Sequence, residues 1–217
     1  CRLPQLTMID NNKITLHDSS GTEDYNSFSD LLNQSECNYL DLIECEELVL
    51  YILRQANKKL NLLRKKNQDA GGLIVAANVA HAKQIQTLMQ RELGESAEIV
   101  TYLEDNAVSI ISDFKSSSRK WIISIGMISE GTNIPRLRVC CHLTRVKTEL
   151  YFRQVLGRIL RANGKEGEKG FFYMPAEPRL VEYAYRIADD IPTSSIVALE
   201  SMPAPERFEG FSETQTS

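Results

Sequence analysis

Gln154, Gly157, Arg158 and Arg161 fall at i, i+3, i+4 and i+7, a spacing that gathers all four on one face of a helix. Phe152, Val155, Leu156, Ile159 and Leu160 repeat at helical spacing beside them, so a helix is predicted over Glu149–Arg161 with one apolar and one basic face. A glycine inside a helix costs about 0.5–1 kcal/mol relative to alanine. Omitting a side chain at Gly157 would let a backbone or a phosphate approach between two guanidiniums. Arginine suits phosphate because its planar fork donates two parallel hydrogen bonds to phosphate oxygens. Taken alone, the helix also fits a solvated basic face with an incidental glycine.

A second stretch, Ser129-Glu130-Gly131-Thr132-Asn133-Ile134-Pro135, directly follows an apolar run at Trp121–Ile125. Gly131 permits an unusual backbone turn and exposes amides, and Ser129, Thr132 and Asn133 offer short polar groups able to contact ribose or phosphate. In isolation this stretch also reads as an ordinary polar loop at a strand end.

The elements that must position these stretches alternate along the chain. Short apolar strands are predicted at Leu73–Ala77, Glu98–Thr101, Trp121–Ile125, Arg138–Leu143 and Gly170–Tyr173, and helices at Ala80–Leu93, Asn106–Phe114, Glu149–Arg161 and Arg179–Asp189. A longer amphipathic helix runs from Cys45 to about Lys66 and is expected to stop at Gly71-Gly72. Glu44-Cys45-Glu46-Glu47 would sit at its start, where negative charge suits the helix dipole. Leu6–Ile9 and Lys13–Leu16 flank Asp10-Asn11-Asn12 as a short hairpin, and residues 18–40 read as an irregular connection. Strands apolar on both faces, alternating with helices, imply an α/β fold: an open, mostly parallel sheet with helices on both faces. The expected organisation is an acidic N-terminal extension or linker at 1–44, the α/β domain at 45–191 and a mobile tail at 192–217. Ligands of such sheets bind beyond the carboxyl ends of the strands.

Composition narrows the function. The 217 residues are 42% apolar and 25% charged, ordinary for a soluble globular protein, and no apolar run approaches the roughly 20 residues of a membrane span. No secretory signal opens the chain, and a start at Cys1 rather than Met suggests a segment of something longer. Five cysteines (Cys1, Cys37, Cys45, Cys140, Cys141) form no CxxC, which fits a reduced, cytoplasmic setting, with Cys140 and Cys141 on opposite faces of a strand. His17, His81 and His142 lack metal-ligand spacing, so no metal site is expected. A formal net charge of −4 argues against a generic nucleic-acid coat. The charge is uneven, however: residues 1–50 carry ten acids against two bases, and residues 136–161 carry seven bases against one acid. A cationic region on an acidic chain suggests a defined anionic partner.

The two stretches, in this order, match a known pattern. Gln154-x-x-Gly157-Arg158-x-x-Arg161 resembles motif six of superfamily two (DEAD/DEAH-like) helicases and translocases. Ser129–Pro135 resembles motif five in the EG-x-D-I-P form of restriction-enzyme and excision-repair subunits. Gly72-Leu73-Ile74-Val75-Ala76-Ala77-Asn78 is similar to motif four, the first strand of the C-terminal RecA-like lobe. The resemblance covers about residues 45–190.

It implies the second motor lobe of an ATP-dependent nucleic-acid helicase. Arg161 would be the arginine finger, Arg158 would lie beside it at the phosphates, and Gln154 would link nucleotide state to lobe closure, with Gly131, Asn133 and Gly157 lining the nucleotide. The family often has Asp where this chain has Asn133. Asn78, Thr101, Ser129 and Thr132, with Arg145 and Lys147 as outer cations, would grip nucleic acid, DNA in preference to RNA. ATP and Mg²⁺ would be held mainly by a first RecA-like lobe, because neither GxxxxGK[ST] nor a DExx acid pair in helicase context occurs here. Alone, the chain is expected to bind nucleotide weakly and not to hydrolyse it. The alternative is a degenerate RecA-like domain that binds nucleic acid or protein without ATPase activity.

Overall fold

The computed structural model describes residues 5–9, 13–17, 22–26, 28–34, 38–101, 106–126, 134–160, 170–175 and 177–190. The chain opens with a small antiparallel sheet, β1 (Gln5–Ile9), β2 (Lys13–His17) and β3 (Thr22–Tyr25), in that spatial order. The expected hairpin is its first two strands. Three helices follow: α1 (Phe28–Gln34), α2 (Tyr39–Glu44) and α3 (Glu46–Arg64).

The reading of residues 18–40 as irregular is therefore corrected. β3 buries only Tyr25, and α1 and α2 are two turns or fewer, too short for periodicity to reveal. What fixes α2 is a capping box: the Asn38 side chain accepts from the Leu40 and Asp41 amides, and Asp41 accepts the Asn38 amide at 2.8 Å. Packing also continues across residue 44, since Tyr39 and Ile43 share a core with residues beyond 150.

The larger sheet holds β4 (Gly71–Ala76), β5 (Ala97–Thr101), β6 (Trp121–Ile125), β7 (Leu137–Leu143) and β8 (Phe171–Tyr173), in the order β5-β6-β4-β7-β8, every pair parallel. This is the expected open α/β architecture, a RecA-like fold. α4 (Val79–Leu88) continues as a π-helical turn at Met89–Leu93 and ends at Gly94, whose φ of 64° is the left-handed conformation that terminates helices. α5 (Ala107–Ser116), α6 (Glu149–Leu160) and α7 (Pro178–Asp190) complete the set.

The two faces of the sheet bury different helices. Ile74, Ile123, Val139 and Cys141 pack with Leu53 and Leu60 of α3 and Ile85 of α4. Leu73, Val75, Ile122 and Cys140 pack with Ile111 and Phe114 of α5 and Val155 of α6. Adjacent cysteines thus point to opposite faces, as strand alternation requires.

Gly71-Gly72 does not stop a helix, as expected from sequence; it opens β4, seven residues beyond the end of α3. A Cβ on Gly72 would lie 2.2 Å from the Trp121 ring, so the glycine lets that indole lie on the sheet. Trp121 is core, and its Nε1 donates to Asn57 Oδ1 at 3.2 Å.

Candidate functional site

Adjacent strands β4 and β7 hand their chains to opposite sides: α4 leads from β4 toward β5 on one face, and α6 leads from β7 toward β8 on the other. That is a topological switch point, the place where open α/β sheets form a ligand crevice beyond their carboxyl ends. Its walls are the turn Ala77–Asn78 after β4 and the connection Thr144–Thr148 after β7. β5 and β6 end level with β4, with Thr101, Ile125 and Ala76 in register. Gly126 follows with φ 74°, its carbonyl accepting the Ser124 hydroxyl at 3.1 Å, so the chain turns sharply as it leaves the sheet.

Asn78 is an N-cap. Its Oδ1 accepts the His81 amide at 2.8 Å, satisfying a donor at the start of α4. His81 is buried, and its Nδ1 accepts the Ala77 amide at 3.2 Å, which leaves the ring proton on Nε2. Burial lowers its pKa below the ordinary histidine value, opposed by nearby Glu44. Thr101 is only 5% exposed, so its side chain belongs to the floor of the rim and not to its open surface.

Most of the seven bases at 136–161 do not form an open cationic surface. Arg136 is buried, donating to the carbonyls of Phe114 at 2.9 Å and Asp69 at 2.7 Å and to that of Arg119, with its guanidinium 4.0 Å from the Phe114 ring centroid. Burial, then Arg64 nearby, pushes its pKa down to about 10, still charged at neutral pH. Arg138 is also buried. Arg153 pairs with Glu149 one turn away, and Glu149 also accepts from Arg186 of α7. Arg145 donates through Nη2 to Glu44 at 3.1 Å, and Lys147 lies 3.3 Å from Glu177 and 5.1 Å above the Tyr39 ring centroid.

Sequence reasoning missed these acidic partners. The sequence places Glu44 at a helix start, but only Glu46 and Glu47 occupy the first turn of α3, and Glu44 ends α2. Glu177 precedes Pro178, a residue pair that does mark a helix entry. Its Oε2 accepts the Leu180 amide at 3.0 Å.

α6 is oriented by its apolar face. Phe152 and Leu156 pack against Leu180, Ala184 and Ile187 of α7 and Ile43 of α2, and Val155 packs beneath the sheet. Gln154 and Gly157 are consequently half-buried on the side away from these contacts. A Cβ on Gly157 would meet nothing within 4 Å among the described residues, so no packing among them explains the glycine. Arg158 lies on the last turn of α6. Arg161, Ser129, Gly131, Thr132 and Asn133, like the tail at 192–217, lie outside the described residues.

Residues 54–163 match the model of the helicase conserved C-terminal domain, about half of the chain. The chain belongs to that family. All three candidate stretches lie within the matched segment of this helicase C-terminal domain. An uncharacterized protein of Mycobacterium leprae is 31% identical over 133 residues, and one of Mycobacterium tuberculosis is 29% identical over 133 residues. Each match takes in 61% of this chain and only 22% of the relative, so the chain spans about a fifth of the length of the curated relatives it matches. Among solved structures, T4 UvsW is similar over 77% of this chain and 37% of that chain, with a TM-score of 0.51 and 16% identity, a likeness of fold. Domain 2 of a DEAD-box helicase bound to an RNA duplex matches 71% of this chain and 61% of that chain at TM-score 0.47 and 14% identity. No described helix of the domain is long and apolar enough to cross a membrane.

Proposed function

We propose that this helicase C-terminal domain is the second motor lobe of an ATP-dependent nucleic-acid helicase or translocase. The observation that carries the reading is Gly157: a helix-breaking residue in the middle of α6, with open space beside it among the described residues, on the face that also bears Gln154. A site that costs helix stability and gains no packing among the described residues suits a partner that arrives from outside.

In this reading a first lobe of the whole protein holds ATP and Mg²⁺, which supply the phosphoryl group and neutralise its charge. Arg161 reaches the γ-phosphate as arginine finger and stabilises the charge that develops during transfer, a role worth about 10³–10⁵ in rate. Arg158 steadies the phosphates, Gln154 reports nucleotide state to the lobe interface, and Gly131 and Asn133 complete the nucleotide's lining. Ser129 and Thr132 grip strand phosphates, with Arg145 and Lys147 behind them. Asn78 and Thr101 act by shaping the rim, since one is engaged as a cap and the other is buried. DNA is proposed as the track because Ser129–Pro135 resembles the form seen in restriction and excision-repair subunits. A cytoplasmic setting is consistent with the free thiols of Cys45, Cys140 and Cys141.

The test is nucleic-acid-stimulated ATP hydrolysis by the whole protein, wild type against Arg161→Ala. The expected result is a loss of about 10²-fold or more in kcat with ATP still bound. Equal kcat would remove Arg161 from the site.

A further inference from the structure

We infer that the crevice beyond β4 and β7 is a phosphodiester-binding site that the lobe's own carboxylates fill when nucleic acid is absent, with Glu44 as the exchangeable occupant. The inference rests on the nucleic-acid reading above and names a control of that interface.

The crevice lies at the switch point of the sheet, and two cations border it from one short connection. Each is held by a single carboxylate from a different element: Arg145 by Glu44 at the end of α2, Lys147 by Glu177 at the start of α7. The two carboxylates are not equivalent. Glu177 also accepts the Leu180 amide and so has a structural task at the N-terminus of α7, and its side chain is 8% exposed. Glu44 has no such second task. It sits in the last turn of α2, the end of a helix whose dipole disfavours a carboxylate, and a third of its side chain faces solvent.

Arg145 is half exposed and contacts Glu44 through one nitrogen, so the rest of its fork is available to a ligand that can accept two parallel bonds. A phosphodiester offers two such oxygens; Glu44 uses one. Exposed pairs of this kind are worth little, about 0–1 kcal/mol, so a phosphate can displace the carboxylate without a large penalty. His81, buried at the start of α4, lies within the field of both Glu44 and Arg145. Glu44 thereby lowers affinity for nucleic acid by competing for the same guanidinium.

The experiment measures binding of labelled single-stranded DNA to the whole protein at low salt by fluorescence anisotropy. Four variants are compared with wild type: Glu44→Gln, Arg145→Ala, both together, and Glu182→Gln, which removes the same charge from an exposed pair on α7. Glu44→Gln is expected to bind about two- to five-fold tighter. Glu182→Gln should match wild type, and the gain from Glu44→Gln should vanish in the Arg145→Ala background. A Glu44→Gln effect no larger than that of Glu182→Gln, with wild-type binding intact, overturns the inference and leaves the motor-lobe reading standing. So does a gain that persists without Arg145. If the wild type binds neither DNA nor RNA of the same sequence, the nucleic-acid reading falls and the inference falls with it.

Discussion

Two arginines bracket strand β7 and show how differently one residue type can be used. Arg136, just before the strand, is buried and gives its hydrogen bonds to three backbone carbonyls, one in the last turn of α5, one in the connection after it and one in the connection before β4. Arg145, just after it, is half exposed and gives one hydrogen bond to a carboxylate. Carbonyls fixed in the fold cannot leave, so Arg136 ties the amino-terminal end of the sheet together. A carboxylate on an exposed side chain can be exchanged for another anion, so the carboxyl-terminal rim keeps a cation in reserve. Structure is secured at one end of the sheet and chemistry is left open at the other.

The largest expected effect breaks the secured end. Arg136→Met removes the donor to three carbonyls and should destabilise the domain by about 3 kcal/mol, read as a lower urea midpoint with unchanged slope. Next comes His142 on β7, fully buried against Phe152 and Phe172 with both ring nitrogens lacking partners among the described residues. Burial pushes its pKa down to about 4, below the unfolded value of 6.5. The fold therefore keeps the ring neutral while the unfolded chain takes up a proton. The stability this represents is fully present above pH 6.5 and is lost as the pH falls toward 4, on the order of 3 kcal/mol. Urea titrations across that range should show the loss in wild type and a shallower one in His142→Phe. The smallest effect sharpens the comparison: Arg145→Met should change stability by no more than about 0.5 kcal/mol. A loss as large as that from Arg136→Met would make the two ends alike.

The sequence made the sheet legible because its strands are continuous apolar runs and its helices have clear periods. Cys140 and Cys141 could be assigned to opposite faces by alternation alone. Past the β1–β2 hairpin, the elements before α3 were not legible, since α2 is held by a capping box and by Ile43 docking on α6, and neither leaves a period in six residues. Gly71-Gly72 looked like a helix stop because glycine's role there is steric clearance for an indole fifty residues away, which no local pattern encodes. The basic stretch at 136–161 was legible as composition, but the sorting of its described cations into buried and paired depends on partners such as Glu44 and Glu177 that are distant in sequence. The glycine in α6 was legible as an anomaly, and the fold sharpens it by showing no neighbour among the described residues that requires it.

Gly157→Val tests the central claim most directly. With nothing within 4 Å of a Cβ among the described residues, the substitution should leave the stability of this domain within about 0.5 kcal/mol of wild type, because valine's helix propensity is no worse than glycine's. In the whole protein, on the proposed motor reading, it should lower nucleic-acid-stimulated ATP hydrolysis by about 10²-fold in kcat/KM, because the added side chain would enter the space which that reading assigns to the nucleotide and the opposing lobe. Wild-type hydrolysis by Gly157→Val would contradict the account, and would mean that the open face of α6 meets neither.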